Sequence, residues 1–138
     1  MVRGRGRVEG IGGAFLFSAR PRRLAGWYRA VLGIPLKSLG AGVYYIELYH
    51  RSLAHPRKRL HSVFAIMPTS GHLAARRNQA MINLRVDDLE RLVRRIREFG
   101  VEVDPIHTGP DAEGEGKFTH VLDLDGNRLE LWEPSTGV

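Results

Sequence analysis

One of the acidic residues near the end of the chain, Glu130, lies between two leucines. Residues 125–127, Asp-Gly-Asn, predict a tight turn before it, because Gly and Asn tolerate positive φ and Asp bonds its own backbone. In the strand that follows, side chains alternate between faces, so Leu129 and Leu131 share one face and Glu130 and Trp132 the other. A carboxylate left unpaired at such a place is costly or becomes protonated. Glu130 therefore needs a polar partner, a metal or a ligand.

Two further polar residues, Asn83 and Arg85, interrupt an apolar stretch at residues 81–86. As a strand, this stretch presents its apolar set to a helix and turns Asn83 and Arg85 towards the opposite face. Two interpretations stay open. Either Arg85 forms an ion pair with Glu130 across the sheet, or its guanidinium fixes an anionic or carbonyl group of a ligand while Asn83 donates a further hydrogen bond. In the second interpretation, Glu130 is a general base or a selectivity element.

His120 is the histidine whose position favours chemistry. It shares a strand face with Phe118, and either face of residues 117–122 is a candidate for the inner one. An inward-facing His120 would transfer protons near neutral pH, and the alternative is a structural histidine. The remaining histidines are expected at the surface: His50, His55, His61, His72 and His107.

Aromatic side chains are the expected apolar walls of a small-molecule site. They are Phe15, Phe17, Tyr45 and Trp132, of which Phe15 and Phe17 are equally consistent with a plain core. The glycine-rich residues 108–118 predict either a solvated loop or a lid, with Lys117 at its hinge reaching towards a ligand.

An internal repeat positions these residues. A strand, a helix and three more strands are predicted twice, with Gly33 and Gly100 ending the two helices and Asp87 or Asp88 capping the second. The predicted strands cover residues 11–18, a short piece around 36, 43–49, 60–67, 81–86, 101–103, 117–122 and 128–133. The chain is thus divided into a flexible Gly/Arg arm (1–10), a first module (11–68), a linker (69–79), a second module (80–134) and a tail (135–138).

Composition narrows the classes of function. The 138-residue chain is 43% hydrophobic, enough for one core, and its 21 basic and 15 acidic residues give a net charge of +6. This charge would attract small anions, but without a dense basic stripe it does not favour nucleic acid. The lack of cysteine excludes disulfides and thiolate chemistry. No stretch predicts a signal peptide or a membrane span, so a cytoplasmic protein is expected.

Three motifs together resemble the glyoxalase, bleomycin-resistance and extradiol-dioxygenase superfamily, also called the vicinal oxygen chelate proteins. They are residues 25–33 (Ala-Gly-Trp-Tyr-Arg-Ala-Val-Leu-Gly), residues 81–89 (Met-Ile-Asn-Leu-Arg-Val-Asp-Asp-Leu) with 100–103, and residues 123–132 (Asp-Leu-Asp-Gly-Asn-Arg-Leu-Glu-Leu-Trp). The resemblance implies an α+β fold in which two tandem βαβββ modules form an open, curved eight-stranded cleft. It also implies helices on the outer face and, usually, a homodimer.

The metal-using members of this superfamily take their ligands from the first and last strand of each module. On this chain those positions fall on Gly13, Met81 and Glu130 and near Phe64, and only Glu130 can bind a divalent ion. The expectation is therefore a relative that uses no metal and no other cofactor. It would bind a small anionic or carbonyl-bearing molecule, with turnover left undecided.

Three alternatives remain. The first is a divalent-metal-dependent lyase or dioxygenase with ligands recruited from Glu47, His120 and Glu130. The second is a resistance protein that sequesters a drug, although a net charge of +6 would repel cationic cargo. The third is a Gly/Arg arm that binds nucleic acid.

Overall fold

The computed structural model describes residues 11, 13–57, 59–69, 81–111 and 114–135. The predicted arm at residues 1–10 lies outside the described residues, as do His72, most of the predicted linker and most of the predicted tail.

Two modules follow one another along the chain, each with one helix and four strands. The first contains β1 (Gly13–Ser18), α1 (Pro21–Val31), β2 (Lys37–Gly40), β3 (Val43–Arg51) and β4 (Arg59–Pro68). The second contains β5 (Met81–Arg85), α2 (Leu89–Glu98), β6 (His107–Asp111), β7 (Gly114–Leu122) and β8 (Arg128–Glu133). The strand orders β1-β4-β3-β2 and β5-β8-β7-β6 are the same, which confirms the predicted duplication of βαβββ modules.

The helix ends follow the predicted signals. Pro21 occupies the first turn of α1, where its missing N–H has no intrahelical partner to lose. Asp88, not Asp87, caps α2 by accepting a hydrogen bond from the Arg91 N–H at 3.1 Å. Gly33, just past α1, takes a φ of +68°, which an L side chain rarely adopts. Neither described helix is long and apolar enough to cross a membrane.

The second strand of the second module differs from its prediction. Residues 101–103 contribute only one bridge, Val103 to Val121, whereas β6 lies at His107–Asp111 and pairs with β7. The described part of the glycine-rich segment that was predicted as a loop or lid therefore lies in two paired strands, β6 and β7. Pro110 is tolerated there because β6 is an edge strand, where one missing N–H costs no ladder hydrogen bond.

The core lies between each helix and its sheet. Leu24 and Tyr28 of α1 and Val93 and Ile96 of α2 are buried against the apolar faces of the sheets. Phe99 follows the last helical residue of α2 and is 53% exposed. The sheet surface that faces away from the helix of its own module is called the inner face below.

A buried carboxylate joins the two modules. Asp123, in the turn before β8, accepts hydrogen bonds from the Tyr28 hydroxyl of α1 at 2.6 Å and from the Asn127 N–H at 2.8 Å. The Asp125 N–H, at 2.9 Å, is a further donor. Burial, followed by the charge of Asp123, raises the pKa of Tyr28 far above its ordinary value. The phenol therefore remains a donor throughout the ordinary pH range.

We expect the substitution Tyr28→Phe to lower the free energy of unfolding by about 1–3 kcal/mol at pH 7, because buried Asp123 loses a donor. The folded state favours the neutral phenol, so this contribution is complete below the ordinary tyrosine pKa of about 10 and declines as the pH rises above it. Urea denaturation at pH 7 and above pH 10 measures both effects.

Tyr44→Phe is the matched control, because within the described part of the chain the Tyr44 hydroxyl bonds to no buried carboxylate. An equal loss of stability in both variants, or a wild-type advantage over Tyr28→Phe that does not shrink above pH 10, would contradict this role of Tyr28.

Candidate functional site

Three polar side chains from three neighbouring strands form a row on the inner face of the second sheet. The strand register places Asn83 of β5 beside Glu130 of β8, and Glu130 beside His120 of β7. The Asn83 amide donates from Nδ2 to Glu130 Oε1 at 2.9 Å, and His120 Nε2 lies 2.9 Å from Glu130 Oε2. We call these three residues the polar row. The Glu130 carboxylate at its centre thus has polar partners, as the sequence predicted.

The polar row remains open to solvent at its centre. The side chains of His120 and Glu130 are 17% and 22% exposed, so each is mostly covered but can still be reached from the inner face. This position settles which strand face carries His120: it is the inner one. A histidine hydrogen-bonded to a carboxylate in a partly covered place is a common arrangement for proton transfer.

Arg85 does not pair with Glu130 as one interpretation of the sequence predicted. The register sets Arg85 beside Trp132, two residues beyond Glu130, and the guanidinium carbon lies 5.5 Å from the centre of the indole ring. Within the described residues the side-chain hydrogen-bond partners of Glu130 are Asn83 and His120. The physical reason is the register, which brings Asn83 rather than Arg85 level with Glu130.

An aromatic row runs parallel to the polar row. Pairing across β8, β7 and β6 aligns Trp132, Phe118 and His107, with Arg85 at the β5 end. The Trp132 and Phe118 rings are 6.4 Å apart and inclined by 12°, and the Phe118 and His107 rings are 5.9 Å apart and inclined by 23°. The His107 ring also lies 6.0 Å from that of His120, which connects the two rows. His107 was expected only to be exposed, and the strand containing it was not predicted.

The inner face of the first sheet is aromatic as well. Phe15 and Phe17 of β1 are 48% and 37% exposed, so neither is the plain core residue that the sequence also allowed. Tyr45 of β3 lies beneath the Lys37 ammonium group, 5.8 Å from its ring centre. On the same strand the Tyr49 hydroxyl donates a hydrogen bond to Glu47, and this bond raises the pKa of Tyr49.

Lys117 lies on the opposite surface from the polar row. Its ammonium group is 3.1 Å from the Glu90 carboxylate of α2 and 3.7 Å from that of Glu133. The hydrogen bond to Glu90, followed by the charges of both carboxylates, raises the pKa of Lys117. Side chains alternate between the two faces of β7, and Lys117 and His120 are three positions apart, so they lie on opposite faces. The prediction that Lys117 reaches towards a ligand on the inner face is therefore not met, because its ammonium group lies beside α2.

The residues present do not fit the metal site that the resemblance implies. A Cβ at Gly13 would lie 2.4 Å from the Val63 carbonyl oxygen, so no liganding side chain can stand there without moving the backbone. Phe64 points towards α1, where its ring packs 5.1 Å from that of Tyr28. Among the described residues, no three His, Cys, Asp or Glu side chains converge.

A cavity of about 870 Å³ lies beside α2 of the second module, and its lining includes Arg85, which also stands at the end of the aromatic row. Its lining residues include Leu32 of the first module and the start of α2. The charged side chains around it balance, with Arg85, Arg91, Arg94 and Arg95 against Asp87, Asp88, Glu98 and Glu133. The helix N-terminus is already occupied, because the Leu89 N–H donates to Glu133 at 2.9 Å. This cavity therefore has no clear preference for an anion.

Two tandem βαβββ modules are the architecture of a glyoxalase-like fold. The chain belongs to the family described as "Glyoxalase-like domain", whose family model matches residues 14–132. No curated protein matches the chain.

Solved structures show the same fold. An integron cassette protein from V. cholerae is 19% identical, with a TM-score of 0.71 over 94% of this chain and 98% of that one. An antibiotic binding protein from Streptomyces sp. CB03234 is 18% identical, with a TM-score of 0.67 over 93% and 98%. A lactoylglutathione lyase from Agrobacterium tumefaciens is 15% identical, with a TM-score of 0.61 over 91% and 94%. At these identities, the likeness shows the fold alone.

We expect the purified protein to carry no stoichiometric divalent metal that depends on Glu130. Elemental analysis measures the bound metal, and thermal shifts with Zn²⁺ and Mn²⁺ should be the same in the wild type and in Glu130→Gln, because Glu130 and His120 have no third His, Cys, Asp or Glu ligand beside them among the described residues. A stoichiometric metal that is lost in Glu130→Gln would contradict this expectation.

Proposed function

We propose that the inner face of the second sheet binds a small, flat molecule that carries an anionic or carbonyl group. The observation that supports this most directly is the polar row beside the aromatic row, both reachable from one surface. Flat apolar surface with a few oriented polar groups is the usual composition of a small-molecule site.

Arg85 and Asn83 supply the recognition of the polar group in this proposal. The Arg85 guanidinium lies over the Trp132 ring, so it stands at the border of the two rows with its charge permanently present. Asn83 Nδ2 carries two hydrogens and directs one of them at Glu130, so the other can be donated to an oxygen of the ligand. An anion or carbonyl oxygen would thus bind near Arg85, with the flat part of the molecule along Trp132.

His120 is the group that would move a proton if the bound molecule reacts. When its Nε2–H donates to Glu130, the lone pair is on Nδ1, and the carboxylate both orients the ring and stabilises the protonated imidazole. Glu130 then acts through His120 rather than on the ligand. In this proposal no step passes through a metal.

A second copy of the chain is proposed to cover the exposed aromatic face of the first sheet. Phe15 and Phe17 leave large apolar surfaces in water, and contiguous exposure of this kind marks an interaction surface. In the described part of the chain the strands form two separate four-stranded sheets, each with its own inner face. A homodimer in which the inner face of one copy lies against that of its partner would enclose the ligand.

Sequestration of an antibiotic is the second candidate function. One structural neighbour is described as an antibiotic binding protein, and stacked rings such as Trp132 and Phe118 suit flat aromatic cargo. A substitution of His120 distinguishes catalysis from sequestration, because only catalysis needs a group that transfers protons. A His120→Asn variant that retains binding and loses turnover would favour the enzyme.

We expect benzoate to bind the inner face and benzylamine, which has a similar shape and the opposite charge, not to bind there. Amide NMR spectra recorded during titration should show benzoate-dependent shifts in β5 and β8. Arg85→Met should raise the dissociation constant for benzoate about tenfold, because it removes a charge-assisted interaction.

Lys117→Met is the matched control, since it removes a cation from the opposite surface of the same sheet. An equal weakening in both variants would show that benzoate responds only to net charge. Shifts confined to the cavity at the start of α2 would place binding elsewhere and contradict the proposal.

We expect Phe15→Lys to convert a dimer into a monomer, because it places a charge in the proposed apolar contact. Light scattering coupled to size-exclusion chromatography measures the mass. Leu53→Lys, at a residue that is 99% exposed in the loop between β3 and β4, should leave the dimer intact. A monomeric wild type would refute the proposed dimer.

A further inference from the structure

Two glycines on the inner face of the second sheet lie beneath aromatic rings. Gly109 of β6 is paired with Gly116 of β7, and neither has a positive φ, so backbone conformation does not require glycine at either place. The two glycines differ in the space available for a Cβ. A Cβ at Gly109 would meet the Phe118 ring at an ordinary 3.6 Å, whereas a Cβ at Gly116 would lie 2.9 Å from Trp132 Nε1 and 2.6 Å from Asp111 Oδ2.

Asp111 reaches across Gly116 to hold the Trp132 indole. The indole N–H donates to Asp111 Oδ2 at 3.2 Å. Ser135, just beyond β8, holds the same carboxylate from the other side, with its backbone N–H 2.9 Å from Oδ2 and its hydroxyl 2.8 Å from Oδ1. The carboxylate thus connects the end of β6, the indole and the residues after β8.

We propose that Asp111 is a positioning residue, which fixes the orientation of the Trp132 indole on the inner face through the space that Gly116 leaves open. The N–H at one edge of the indole is tied to Asp111, and its ring is held between the Arg85 guanidinium and the Phe118 ring. A tryptophan fixed in this way presents a constant flat surface, so little side-chain entropy is lost when a flat molecule binds.

This arrangement gives the glycine-rich hairpin a role. Of its glycines, Gly116 has this reason: the Trp132 indole and the Asp111 carboxylate lie directly against its backbone, where a larger residue would displace them. Gly114 instead has a φ of +146°, which an L side chain rarely adopts. The expected gain in affinity for a flat molecule rests on the proposed function of the inner face. The role of Asp111 in orienting Trp132 does not depend on that function.

The test measures the exchange with water of the Trp132 indole N–H by NMR, without any ligand. Trp27→Phe and Trp132→Phe assign the two indole signals. Asp111→Ala should speed the exchange of the Trp132 N–H about tenfold and shift its resonance, because the donor loses its acceptor. Asp111→Asn should restore both values, since an amide oxygen can accept the same hydrogen bond.

Gly116→Ala and Gly109→Ala form a matched pair, with the same added methyl group on the same face of paired strands. Gly116→Ala should speed indole exchange as Asp111→Ala does, because the new Cβ occupies the space of the hydrogen bond, and Gly109→Ala should not. If Asp111→Ala does not fold, Ser135→Ala provides the second measurement. It removes one donor that orients Asp111 and should speed the exchange by a smaller factor.

Unchanged exchange in Asp111→Ala, or equal effects of the two glycine substitutions, would overturn the role of Asp111. The dissociation constant for benzoate, measured in the same spectra, should rise about three- to tenfold in Asp111→Ala and return in Asp111→Asn. If benzoate binds to none of the proteins while indole exchange responds as expected, the proposed function fails and the positioning role of Asp111 stands. If benzoate binds and indole exchange does not respond, the positioning role fails alone.

Discussion

The Asp123 carboxylate is the constraint on which the arrangement of the whole molecule depends. Four donors surround it: the Tyr28 hydroxyl, the backbone N–H groups of Asp125 and Asn127, and the Asn127 side-chain amide at 2.6 Å. Such a buried charge is tolerated only when its hydrogen bonds are complete. The turn, the first helix and the start of β8 are therefore held in one geometry, and β8 carries Glu130 and Trp132.

Sheet geometry then converts this constraint into a site. Because neighbouring strands align their residues in register, one residue from each strand forms a row across the sheet. Glu130 thereby acquires Asn83 and His120 as partners, and Trp132 acquires Arg85 and Phe118. Polar and flat apolar groups alternate as adjacent rows on the inner face. This juxtaposition supports the proposal of a small-molecule site, whichever reaction follows.

Much of the fold and part of this site could be predicted from the sequence. Apolar periodicity indicated both helices, and the Asp-Gly-Asn turn and two-residue alternation placed Glu130 and Trp132 on one face, as observed. Alternation along a strand does not give the register between strands. One interpretation of the sequence therefore paired Arg85 with Glu130, whereas the register places Arg85 beside Trp132. Alternation also left open which face of its strand carries His120.

The least predictable part was the segment from Thr108 to Phe118, because its glycines carry no period. Glycine weakens a strand signal, and a proline in the same stretch favours a loop. The reason for Gly116 is tertiary, because the Trp132 indole and the Asp111 carboxylate occupy the space that a Cβ would need. The role of Asp123 was hidden for a similar reason, since its partner Tyr28 is 95 residues away.

A crystal structure of the protein with benzoate would show whether the inner face of the second sheet is the binding site. We expect the carboxylate within hydrogen-bond distance of Arg85 or Asn83, with the aromatic ring against Trp132 and the polar row intact. Benzoate bound only in the cavity at the start of α2, or a metal ion coordinated by Glu130 in its place, would refute this site.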